Sequence, residues 1–250
     1  MKSHLALGAF ILIAIAACGP KPAPDMTLDR LLDAHAQARG GKAALESINS
    51  VDVTLEIVEP DFSLTGHYRA SRDGMMRIDV YAGDDRVFTE ALGPDGGWQM
   101  FGDGKVADLS PDGDDALRRG VIGNLYGLHE LPSLGYELKL IGSNERNGGS
   151  FWEIEKTAPD GFSEHLFFDK DTFLIASSVN TSALHPDIDS TEVRQETFYF
   201  DYQKVGGVLF SNRSEKRNLD TGDVMQTSAI TSRRINVALD PAQFERPPAE

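Results

Sequence analysis

The chain is nearly without cysteine. Cys18 is the single one among 250 residues, which excludes an internal disulfide and any zinc or iron–sulfur site built from several thiolates. Positive charge is also scarce: 24 Lys and Arg stand against 39 Asp and Glu, a net of −15. A surface that acidic repels polyphosphate, so nucleic acid is excluded as a general partner. Catalytic signatures are missing too. The histidines His4, His35, His67, His129, His165 and His185 form no HExxH or other paired metal spacing, and there is no GxSxG elbow, P-loop or GxGxxG. Asp112-Gly113-Asp114-Asp115 lacks the spacing and closing Glu of a calcium loop and reads as the start of a helix. His185-Pro186-Asp187-Ile188-Asp189 reads as a solvated acidic loop. The chain is therefore expected to be no enzyme, with no catalytic residues, metal ligands or cofactor.

A long apolar run is absent as well. Leu5 to Ala17 is uncharged and mostly aliphatic, but a spanning helix needs ~20 such residues. Preceded by the basic Lys2 and followed by small residues, the run reads as a secretory signal. Ile15-Ala16-Ala17-Cys18 resembles the bacterial lipobox, which implies cleavage between Ala17 and Cys18 and a diacylglycerol, plus an amide-linked acyl chain such as palmitate, on Cys18. Several acyl chains bury far more CH₂ than one reversible anchor. Gly19 follows where the enterobacterial inner-membrane retention signal has Asp, which favours the outer membrane over the inner. Residues 1–17 are thus expected to be the signal peptide, and 18–26 a lipidated stalk in which Pro20, Pro22 and Pro24 favour polyproline II. One folded domain spans 27–246, with a tail over 247–250.

Within the domain the hydrophobic period begins helical and then becomes two. Thr27 caps a helix in which Leu28, Leu31, Leu32, His35 and Ala38 share a face, ending at Gly40-Gly41. A shorter helix follows, over 42–48. From Val51 onward apolar and polar residues alternate, as in Val53, Leu55 and Ile57. About eleven strands are expected, joined by turn formers such as Asp73-Gly74, Gly148-Gly149 and Gly206-Gly207. Short connectors imply an antiparallel meander, because parallel pairing needs crossover helices. The one long interruption, Pro111–Leu131, can form a helix covering the concave side of a twisted sheet.

Several strands carry apolar groups on both faces: Phe151-Trp152, Phe167-Phe168 and Phe198-Tyr199-Phe200. Where a sheet is covered by one helix layer, such groups can line a cavity. Trp98, Phe101, Leu125, Trp152, Phe168 and Phe198 are the candidate lining residues, although ordinary core packing explains most of the aromatic load.

Leu31-Leu32-Asp33-Ala34-His35, Ala38-Arg39-Gly40-Gly41, Ala44-Leu45 and Ile48 resemble the opening of LolA/LolB-like lipoprotein-sorting proteins. Asp201-Tyr202-Gln203-Lys204-Val205-Gly206-Gly207-Val208-Leu209-Phe210 and Asn236-Val237, with Leu239-Asp240 and Phe244, resemble their C-terminal stretch. The resemblance implies a mainly β fold, an unclosed antiparallel barrel capped by helices, with an apolar cavity that in the sorting proteins holds acyl chains. These motifs are structural punctuation and transfer no site residue. Two functions remain open. One is an envelope-anchored lipoprotein, facing the periplasm, that binds lipid or lipoprotein acyl chains. The other is a non-catalytic scaffold or accessory lipoprotein that binds a protein. An open apolar cavity favours the first; a helix packed flush on the sheet favours the second.

Overall fold

The computed structural model describes residues 25–248; the signal, lipobox and Cys18 readings lie outside them. The chain opens with α1 (Leu28–Ala38) and α2 (Lys42–Glu46). Thr27 caps α1, its hydroxyl accepting from the Arg30 amide at 3.3 Å. Gly40 and Gly41 end it at φ +122° and +97°, values that a Cβ resists. Then come β1 (Ser50–Glu59), β2 (Phe62–Ser71), β3 (Met76–Ala82), β4 (Asp85–Gly93), β5 (Gly96–Phe101) and β6 (Val106–Asp108). After α3 (Pro111–Leu125) and a 3-10 helix (Leu128–Leu134), the strands resume. They are β7 (Glu137–Arg146), β8 (Gly149–Thr157), β9 (Ser163–Asp169), β10 (Ile175–Ser182), β11 (Val193–Phe200), β12 (Gln203–Val205), β13 (Val208–Phe210), β14 (Arg213–Asn218) and β15 (Val224–Ile235).

Thirteen of these strands form one antiparallel sheet in the order β6-β5-β4-β3-β2-β1-β15-β14-β11-β10-β9-β8-β7. The described residues hold fifteen strands against the expected eleven or so, in part because β6 is added at one edge and the stretch from Gln203 to Asn218 divides into β12, β13 and β14. Gln203–Val205 and Val208–Phe210 pair with each other as a separate ribbon. Its turn is Gly206-Gly207, at φ +56° and +91°, the double left-handed geometry of a tight hairpin. The sheet stays open, since β6 and β7 sit at opposite edges. These two strands are nevertheless consecutive in sequence, so the chain between them must cross from one edge to the other. That crossing is α3 and the 3-10 helix, and it puts the longest helix over the mouth of the sheet.

The concave face follows from the register. Val51, Val53 and Leu55 sit opposite Ala70, Tyr68 and Gly66, and Tyr68 and Ala70 face Ile78 and Met76 in turn. Val121 and Leu125 of α3 pack on this patch with Leu45 and Ile48. A second buried cluster joins Leu31 and Leu32 of α1, Leu128 and Leu131 of the 3-10 helix, and Ile154, Leu166 and Phe168 of the far strands. Arg72 ties the helices together. Its guanidinium bonds the Glu130 carboxylate at 2.7 and 3.1 Å and the Leu45 and Leu125 carbonyls at 3.1 and 3.0 Å. It also lies 4.1 Å from the centroid of the Tyr126 ring. The C-terminal 3-10 helix (Pro241–Phe244) closes the opposite, convex face of β3–β5, with Phe244 fully buried.

Candidate functional site: a cavity beside α3

α3 does not lie flush on the whole sheet. Its main strand contacts are with β1, β2, β4 and β5, so much of the other half of the concave face is left uncovered. There a cavity of about 440 Å³ opens between α1, α3, the 3-10 helix and strands β8–β15. This lies within the ~300–1,000 Å³ typical of small-molecule sites.

The wall toward the second cluster is apolar: Ile122, Leu128, Leu131, Phe162, Leu166 and Ile175. The wall toward the β12–β13 ribbon is cationic. Arg39, one residue beyond α1, donates Nε to the Leu209 carbonyl at 3.1 Å. Arg233 of β15 donates to the Ser211 carbonyl at 3.2 Å and to Asn212 Oδ1 at 3.3 Å. Both guanidiniums lie against the Phe210 ring, 5.4 and 4.5 Å from its centroid. Burial and the neighbouring Arg39 lower the Arg233 pKa to about 10, and burial lowers that of Arg39. The floor between the walls is polar. Tyr199, Ser214 and Ser228 line the cavity and stand in line across β11, β14 and β15. Burial pushes the Tyr199 phenol up, and its OH stays within 3.2 Å of Ser178 Oγ.

His35 closes the inner end. Its Nδ1 bonds the Phe173 carbonyl at 2.8 Å while its buried Nε2 has no partner. Burial, with Arg39 nearby, drops its pKa to about 4, so the ring is neutral at pH 7. Such a ring donates through Nδ1 and keeps Nε2 as an acceptor.

α3 bounds the cavity along one edge, through Arg119, Ile122, Gly123 and Asn124. Arg119 pairs with Asp160 in the β8–β9 turn and lies 4.3 Å from the Phe162 ring centroid. Among the described residues this is the one ion pair that bridges the helix to the half of the sheet it does not cover. The helix glycines do not serve close packing, because a Cβ at Gly120 or Gly123 would meet nothing within 4 Å. The loop after β10 is a strap and not merely solvated. Asp187 Oδ1 accepts the Ser110 amide at the start of α3 at 2.7 Å, and His185 Nε2 lies 2.9 Å from Glu59 of β1.

None of the six residues nominated from the sequence is among the residues lining this cavity. Trp98 alternates to the convex face, where its indole donates to the Phe244 carbonyl at 3.0 Å. Phe198 is on the outer face as well, because its neighbour Tyr199 points inward. It lines a surface groove with Phe200 and Arg217. Phe101 is concave but lies out on β5, half-exposed against Phe88. Leu125 and Phe168 are fully buried in the two clusters, and Trp152 packs behind Phe168. The lining residues Arg39, Tyr199, Phe210 and Arg233 went unnominated. Alternation says that Phe198 and Tyr199 point to opposite faces, but only the register with β14 says which face is concave.

Among solved structures the chain is similar to a DUF1329 family protein from Desulfovibrio piger, with 16% identity over 87% of this chain and 96% of that one, at a TM-score of 0.56. It is similar to a domain named for outer membrane lipoprotein sorting from Vibrio parahaemolyticus, at 13% identity, 85% and 95% coverage and a TM-score of 0.58. A LolA superfamily protein from Nitrosomonas europaea gives 12% identity, 88% and 98% coverage and a TM-score of 0.56. The sequence matches no protein-family model and no curated protein. At these identities the likeness is one of fold: the chain has the open, antiparallel half-barrel of LolA/LolB-like proteins.

Proposed function

We propose that this protein is an envelope lipoprotein whose half-barrel binds an acyl chain or lipid, in lipoprotein sorting or lipid transport. The observation that carries the reading is the cavity of about 440 Å³ with an apolar wall, left where α3 covers only half of the concave face. Burial of each methylene there contributes ~0.8 kcal/mol, so affinity needs no catalytic group. Two of the structural neighbours are named for LolA or for lipoprotein sorting, which supports a binding role and not catalysis. A helix flush on the sheet would have favoured a purely protein-binding scaffold.

In this reading α3 is the movable wall. It is anchored on β1–β5 by Val121 and Leu125 and held to the far half by the Arg119–Asp160 pair. The lipobox carries the membrane anchor: Cys18 bears the lipid, and the prolines after it hold the domain off an outer-membrane surface facing the periplasm.

Two measurements test the proposal. Mass spectrometry of lipids extracted from the purified chain should find a stoichiometric lipid or fatty acid. A delipidated, folded chain that binds no fluorescent fatty acid at micromolar levels would remove the binding role. Separately, Cys18→Ala should abolish palmitate incorporation, and normal labelling of that variant would sink the anchor.

A further inference from the structure

The cavity's charge is opposite to that of the protein. The chain as a whole carries −15, yet Arg39, Arg119, Lys156 and Arg233 line this cavity against a single carboxylate, Glu164; the Arg213 guanidinium lies on the outer face against Phe200. Two of the four cations have carboxylate partners: Arg119 with Asp160 and Lys156 with Glu164. Arg39 and Arg233 have none among the described residues. They meet backbone carbonyls, the Asn212 amide oxygen and the Phe210 ring they share. Arg39 commits only Nε, and its terminal nitrogens have no hydrogen-bond partner among the described residues.

Two guanidiniums placed against one ring repel each other, and partial burial removes the water that would screen them. Burial, and then the neighbouring Arg39, lower the Arg233 pKa. An unpaired, desolvated like-charge pair is unfavourable in the empty protein. An anion placed between them relieves the repulsion and gains charge-assisted, fork-shaped hydrogen bonds. The Ile122, Leu128 and Leu166 wall on the other side takes no charge but suits a hydrocarbon chain.

We infer that the cavity binds an amphiphile with an anionic head, a carboxylate or a phosphate, held between Arg39 and Arg233 with its acyl chain along the Ile122–Leu166 wall. The inference rests on the proposed acyl-binding role and adds the chemistry of the head. A neutral ester or alcohol of the same chain length leaves the arginine pair uncompensated and binds more weakly. Hydrogen bonds to a charged group separate the two by about tenfold to a hundredfold.

The test uses the full chain reconstituted in phosphatidylcholine vesicles and three photoactivatable probes of one chain length: a fatty acid, its methyl ester and the corresponding alkyl phosphate. Crosslinks are mapped by mass spectrometry to the peptides carrying Ile122 and Leu166. The acid, the phosphate or both should label these peptides at least about tenfold more than the ester, and which of them does so names the head. Arg39→Gln and Arg233→Gln should each reduce that labelling toward the ester level with the circular dichroism spectrum unchanged. If a variant fails to fold, the comparison of acid with ester in the wild type still decides. Equal labelling by ester, acid and phosphate would overturn the anionic head and leave the acyl-binding role standing. No cavity labelling by any probe would overturn both.

Discussion

Gly123→Leu separates stability from binding, because the two should move in opposite directions. Gly123 is an exposed helical residue on the cavity edge of α3, and a Cβ there meets nothing within 4 Å. Its φ is not left-handed, so a side chain adds no strain. Leu in place of Gly in a helix interior contributes ~0.8–1 kcal/mol through propensity. At ~2–4 °C per kcal/mol for a domain of this size, the melting temperature should rise by about 2–3 °C. The added side chain enters the cavity and displaces about two to three methylenes of the ligand. At ~0.8 kcal/mol each that costs about 2 kcal/mol, or roughly thirtyfold in Kd. Differential scanning fluorimetry and titration with a fluorescent fatty acid read the two effects. A raised melting temperature with unchanged affinity would refute the cavity as the binding site. A fall in melting temperature would mean that this edge of α3 is packed and not open. Leu125→Asp cannot serve the same purpose: Leu125 is fully buried where α3 packs on the sheet, so the charge would unfold the protein before it reported on a ligand.

Arg72→Met removes one member of a largely buried ion pair and strands the Glu130 carboxylate. It should cost ~3–5 kcal/mol in chemical denaturation, and a loss under 1 kcal/mol would show that the helices do not depend on the clamp. Gly207→Val puts a β-branched residue at φ +91° and should cost ~1–3 kcal/mol by the same measurement; unchanged stability would show that the ribbon turn carries no strain. His35 sets a pH dependence. The unfolded chain takes up a proton near the ordinary 6.5, while the folded one refuses it until about pH 4. Stability is therefore complete above about pH 6.5 and falls by roughly 3 kcal/mol on acidification to 4. His35→Gln should flatten that part of the curve, and an identical slope in the variant would assign the effect to another group.

Local and nearest-neighbour information was enough for much of the fold. Thr27 as a cap, the Gly40-Gly41 stop, the tight Gly206-Gly207 turn and the change of period at Val51 all depend on a few adjacent residues, and all of them are legible in order along the chain. So is the antiparallel meander, because short turns permit nothing else. The helical interruption over Pro111–Leu131 is legible too, although the chain divides it into α3 and a 3-10 helix, and its position at the mouth follows once β6 and β7 are known to lie at opposite edges. That knowledge is tertiary. Alternation divides Phe198 from Tyr199 and Trp98 from Gln99, but it cannot say which member of each pair faces inward, since period two is symmetric between the faces. The pairing of β1 with β15, which sets Val51 opposite Ile235 and Val58 opposite Thr227, joins the two ends of the domain and sets that choice for the whole sheet. The cationic wall has the same origin. Arg39 follows a helix and Arg233 lies near the end of the last strand, and nothing in their own neighbourhoods marks them as partners. They meet over Phe210 because the ribbon turn packs against the Gly40-Gly41 stop and β15 pairs with β1, contacts between segments far apart in the chain that only the folded sheet brings together.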